Sequence, residues 1–196
     1  MVTSGKSAVR SARPASRMFG GGRAVLVTLA LMVAGNLLVH RQMFGACWGR
    51  TPLNVLKFEM TFDAAAFGGM LRDAGQVAEL CREGILRSLV MSDVFFPITY
   101  AAFITALFEW VTRRRGIAIE RGFPRLLWRL PAAAAVLDVF AENVPLYLAG
   151  RLIGDGAGDG GVRALVLLGS TGAVLKFTAL VVFLAGLVRL LTGKRA

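Results

Sequence analysis

A chain of 196 residues has room for one compact unit and little more. With 56% apolar residues and a mean hydropathy of +0.62, it is too apolar for an ordinary water-soluble domain. The net charge of +11 would suit a nucleic-acid binder, but the basic residues stand in short runs beside long apolar stretches, so the expected partner is the lipid bilayer and not nucleic acid.

Residues 1–23 form a basic tail with Lys6, Arg10, Arg13, Arg17 and Arg23 and no acid. Residues 24–39 are the first of four stretches expected to cross a hydrocarbon core, which takes roughly 20 residues. This stretch is the shortest, so it borrows length from residues 18–22 or thins the bilayer around it. Residues 1–35 also have the outline of a signal peptide with a small-residue site at Val33 and Gly35. The apolar run continues through Leu37, Leu38 and Val39, which favours a retained span.

Residues 40–88 form the one sizeable segment outside the membrane. Val55, Lys57, Glu59 and Thr61 alternate with Leu56, Phe58, Met60 and Phe62, which predicts a short strand. Thr61 or Asp63 then caps a helix through Ala64, Phe67, Met70 and Leu71. Gly75 is expected to interrupt it before a second amphipathic stretch through Val77, Leu80, Cys81, Ile85 and Leu86. That apolar stripe is too small for an independent core, so the segment is expected to lie on one mouth of the membrane bundle. Both cysteines, Cys47 and Cys81, fall here, and a disulfide or two free thiols are both open. Neither belongs to a C-x-x-C pair, which sets aside a thiol oxidoreductase.

The remaining spans are residues 89–111, 131–149 and 164–191, followed by a tail at 192–196. Arg113, Arg114, Arg115, Arg121 and Arg125 between the second and third spans face only Glu120, and Arg189, Lys194 and Arg195 close the chain. Residues 40–88 and 150–163 are nearly balanced in charge. Counting four spans puts every basic segment on one side, so both termini are expected to be cytoplasmic. Trp48, Trp110 and Trp128 fall at interfacial positions, Arg129 can snorkel to headgroups, and Pro131 suits the first turn of the third span. His40 is read as interfacial. The run of Gly and Asp over residues 154–161 reads as a turn, since a calcium loop needs more acids. The preference for Arg over Lys, with abundant Ala and Gly, resembles GC-rich bacterial composition, which suggests the bacterial inner membrane.

The informative residues are polar ones inside the apolar stretches, because a charge near a bilayer centre costs at least about 2.5–3.5 kcal/mol. Asn36 ends the first span. Asp93, Pro97 and Tyr100 share one face of the second. Asp138 and Glu142 share a face of the third, with Asn143 and Pro145 beside them, and Lys176 sits mid-way along the fourth. Helical rise places Asp138 and Lys176 at similar depth, about 16–18 Å in, where they can form a buried ion pair. Asn36, Asp93 and Glu142 lie within about 10 Å of one boundary, with no basic partner expected at that depth. Pro145 cannot donate to the Ala141 carbonyl, which is expected to be free beside Glu142. Glu109 is expected to pair with Arg113 one turn on. Gly169, Gly172 and Gly186 read as close-packing positions.

The pattern Asp93-Val-Phe-Phe followed by Tyr100, with Asp138 and Glu142-Asn143 in the next span, resembles a group of uncharacterised bacterial four-pass membrane proteins. Their third helix usually carries Asp-x-x-Glu-Asn, whereas three residues separate Asp138 and Glu142 here. The resemblance implies a four-helix bundle and a polar site but no reaction.

The expectation is therefore an all-α four-pass bundle that binds a small ligand, cation or proton in a pocket of Asp93, Tyr100, Glu142, Asn143 and Asn36. An accessory subunit docking a partner through residues 40–88, or an enzyme acting on a lipid-like substrate, are the alternatives. A thin four-helix unit predicts a homo-oligomer or a membrane partner protein. No metal or cofactor is implied.

Overall fold

The computed structural model describes residues 21–45, 58–77, 79–90, 92–154 and 159–192. Among them every regular element is a helix: α1 Gly22–Gly45, α2 Ala64–Val77, α3 Glu79–Val90, α4 Ser92–Arg114, α5 Gly122–Val136, a π-helical segment Leu137–Asn143, α6 Val144–Gly154 and α7 Asp159–Thr192. Three helical runs are long and apolar enough to cross a membrane: Val94–Arg114, Gly122–Ile153 and Gly160–Thr192. The protein is a multi-pass membrane protein on this evidence. The first helix carries a shorter apolar stretch, Gly22–Leu38.

The long middle run is α5, the π segment and α6 end to end. At 32 residues it measures about 48 Å by helical rise, well beyond a hydrocarbon core of about 30 Å. Its first turns are the excess, with Arg121, Arg125 and Arg129 exposed. The helix itself thus begins ahead of Pro131, which does not stand in its first turn. Gly122 opens the helix with φ +65, and Pro124 occupies the first turn, where a missing N–H has no helical partner to lose. Pro131 lies inside α5, buried. The second long helix starts after Leu89, which belongs to α3, and Asp93 falls in the first turn of α4.

Helix α4 packs between α1 and α5, and α7 packs along α5, the π segment and α6. Beyond one end of these helices lie α2 and α3. The expected strand is absent here: Phe58 and Glu59 are helical, and residues 53–57 lie outside the described residues. Asp63 does cap α2, its Oδ1 accepting from the Ala65 N–H at 2.9 Å. The helix then runs through Gly75 to Val77, so that glycine does not interrupt it.

Phe58, Phe67, Leu71, Ile85, Leu86 and Leu89 bury against Leu146, Ala149, Val162 and Val166 of α6 and α7. Each fully buried large apolar side chain contributes about 1.5–3 kcal/mol, which anchors a layer that has no core of its own. A bidentate bond from Arg151 to Glu83, at 2.8 and 3.1 Å, ties α6 to α3 at the rim. Cys81 is disulfide-bonded; Cys47, the other cysteine of the chain, lies outside the described residues, as does Trp48.

Candidate functional site

The site begins with a local distortion. A proline ring clashes with the carbonyl four residues back, and here that carbonyl belongs to Ala141. The chain widens ahead of Pro145 into the π-helical turns of Leu137–Asn143, and the Val144 N–H donates to the Val139 carbonyl, five residues back. The Ala141 carbonyl, expected to lose its helical donor at Pro145, is closely approached by another helix. It lies against Gly172 of α7, where a Cβ would also meet the Glu142 nitrogen at 2.9 Å. Gly172 therefore lets α7 reach the backbone of the π segment itself.

That approach brings Lys176 onto the acids. Its Nζ lies 2.7 Å from Glu142 Oε2, 3.3 Å from Asp138 Oδ1 and 3.6 Å from Glu59 Oε2. Asp138 is well satisfied: it also accepts from Tyr100 Oη at 3.1 Å and from Asn143 Nδ2 at 3.3 Å. The π turn explains the last of these, because residues five apart share a face in a π-helix and diverge in an α-helix. Glu142 is fully buried, and among the described residues neither of its oxygens accepts a hydrogen bond of good geometry. The ammonium approaches Oε2 at ion-pair distance but off the hydrogen-bonding direction. Asp138, Asn143, Tyr100 and Lys176 are likewise buried.

Glu59 reaches this centre from outside the bundle. Its neighbour Phe58 is buried against Phe67, with ring centroids 4.9 Å apart. The Thr61 carbonyl accepts from Ser170 Oγ of α7 at 2.6 Å. Between these two anchors the Glu59 carboxyl reaches Lys176, beside Glu142 on the same ammonium. Burial pushes its pKa above the ordinary carboxylate value; Lys176 opposes that shift and Asp138 adds to it.

Of the residues singled out from the sequence, Asp138, Glu142, Asn143, Tyr100 and Lys176 come together. Glu142 was expected to lack a basic partner; the long lysine stem supplies one. Asn36 sits half-buried on α1 and, among the described residues, makes no hydrogen bond to the centre. The side chains of Asp93 and His40 lie outside the described residues. Glu59 was missed because strand alternation placed it with Lys57 and Thr61 on a solvent face. Its link to Lys176 spans most of the chain and leaves no periodic signal. Glu109 accepts from Trp128 Nε1 at 2.8 Å, a partner that turn spacing toward Arg113 did not suggest.

Three carboxyls converge on one ammonium. If all were ionised the cluster would carry two surplus negative charges, which a bundle interior resists. No family model matches the chain, and no curated protein or solved structure is significantly similar to it.

Proposed function

We propose that this is a four-pass inner-membrane protein with cytoplasmic termini whose bundle holds a proton-binding centre of Glu59, Asp138, Glu142 and Lys176. The observation that carries the reading is the surplus, among the described residues, of carboxyls around one buried lysine. Lys176 already occupies the place of a bound cation, so the species that this centre can exchange with least rearrangement is a proton. Tyr100 and Asn143 fix Asp138 as the lysine's steady counter-ion, which leaves Glu142 and Glu59 as the pair that loads and unloads. The distribution of arginines and the apolar stretch Gly22–Leu38 support the four-span arrangement, with α2 and α3 on the side away from the arginine-rich loop.

The test is the thermal melt of the purified protein in detergent, wild type against Glu142→Gln, from about pH 5 to about pH 8. Glutamine keeps the shape and removes one of the surplus charges. The variant is expected to melt higher by about 2–4 °C at the alkaline end, equivalent to about 1 kcal/mol for a chain of this size. The gap should narrow on acidification. A variant less stable at every pH would mean that Glu142 only ties helices together, and the reading would fall.

A further inference from the structure

The centre is covered by a piece of its own chain. Residues 58–63 form a strap held by Phe58 in the apolar layer, by Glu59 on Lys176 and by the Thr61 carbonyl on Ser170. Among the described residues, the charged and titratable groups around Glu59 are Lys176 of α7 and Asp138 and Glu142 of the π segment, with Tyr100 of α4 behind Asp138. Two of the strap's anchors are neutral, and the third sets the Glu59 carboxyl on an ammonium that Glu142 also meets. Among the described residues Glu142, fully buried, receives no well-directed donor, and the Glu59 carboxyl meets the same ammonium, Lys176 Nζ lying 2.7 Å from Glu142 Oε2 and 3.6 Å from Glu59 Oε2. Two adjoining carboxylates repel, whereas a carboxylic acid beside a carboxylate donates to it. One proton between them would supply the donor that Glu142 lacks and remove the repulsion.

Building on the proton-binding reading above, we propose that a proton shared by Glu59 and Glu142 latches the strap of residues 58–63 over the centre, and that its release to bulk water lifts the strap and opens the centre. In the latched state one of the two carboxyls carries the proton. On release both become carboxylates, Lys176 stays with Asp138 and Glu142, and Glu59 leaves with the strap. The sign follows from the environment of Glu59. Burial favours its protonated form, so docking is strongest below the ordinary carboxylate pKa and weakens as pH rises through the raised value.

Hydrogen–deuterium exchange of the full chain in detergent reads this directly, using a peptide over residues 58–70 with one over residues 79–90 as the internal reference. After correction for intrinsic exchange, the strap peptide of the wild type should exchange about tenfold faster at about pH 9 than at about pH 6, as loss of one linked proton permits. Glu59→Gln, whose amide donates to Glu142 without titrating, should hold the strap slow at both values. Ser170→Ala should speed strap exchange at both values while keeping the pH step, which makes the test independent of how well the glutamine variant folds. Strap exchange in the wild type that ignores pH would overturn the latch, as would a Glu59→Gln strap that opens like the wild type. If the strap ignores pH while Glu142→Gln still melts higher, only the latch falls. If neither responds, the proton-binding reading falls with it.

Discussion

Each end of the bundle buries an acid, and the two ends settle it differently. Toward the arginine-rich loop, Glu109 of α4 is buried and takes a hydrogen bond from the Trp128 indole at 2.8 Å. Around it the guanidinium groups stay at the surface, Arg114 lying over the Trp110 ring at 4.4 Å. Toward α2 and α3, three carboxyls gather on one ammonium, and the most buried of them gets no well-directed donor. A single acid can be met by donors of the frame that packs around it. A surplus of acids cannot be settled by donors alone, because part of the charge has to be carried off by a proton or a counter-ion. The contrast separates polar residues that hold the bundle from polar residues with work left to do.

The largest expected effect breaks the contrast at its centre. Lys176→Met keeps much of the apolar stem and removes the ammonium that touches all three acids. Taking one partner from a buried charge group is expected to destabilise by about 3–5 kcal/mol. Chemical denaturation in detergent should show the loss, and it should grow with pH as the uncompensated carboxyls ionise. A loss under about 1 kcal/mol would mean that the acids are held neutral without the lysine, and the two ends would no longer differ in kind.

A smaller effect is expected where α7 meets the π segment. At Gly172 an added Cβ meets the Ala141 and Glu142 backbone, which cannot swing aside as a side-chain tip can. Gly172→Ala is expected to cost about 1–3 kcal/mol through overpacking. It should also move Lys176 off the acids, so the destabilisation should grow with pH in the same sense as in Lys176→Met. An alanine variant with wild-type stability and wild-type pH dependence would show that the close approach does not set the lysine's position.

Much of this architecture was legible in the sequence, for physical reasons that also explain the gaps. Long apolar runs report helices directly, and Asp138, Glu142 and Lys176 stood out because charge inside such a run is costly. The Asp63 cap was legible from a local preference. Helix starts were less so: two prolines, Pro124 and Pro131, were available for one first turn, and the amphipathic lead of α5 resembles a loop in composition. The π turn could not be read from a 3.6-residue period, so Asn143 was grouped with Asp138 by adjacency to Glu142 and not by the five-residue spacing that joins them. Glu59 was hidden because its contact depends on a strap folding back over the bundle, a tertiary event that overrides local alternation.

The smallest effect sharpens the comparison from the quiet end. Trp128→Phe keeps an aromatic ring and removes the indole donor to Glu109. Loss of one such bond to a buried acid is expected to cost about 1–3 kcal/mol, nearer the lower figure because Trp128 is partly exposed. Glu109 and Tyr100 are nine residues apart on α4, which is about 13 Å of helix. At that separation mutational effects are expected to add to within about 0.5 kcal/mol. Trp128→Phe combined with Glu142→Gln should therefore give the sum of the two single changes in denaturation midpoint energy, and the pH response of the strap should stay as in the single Glu142→Gln chain. Coupling well beyond that margin would mean that α4 transmits the state of one acid to the other. The two ends would then be parts of one proton-linked network, and Glu109 would belong to the site and not to the frame around it.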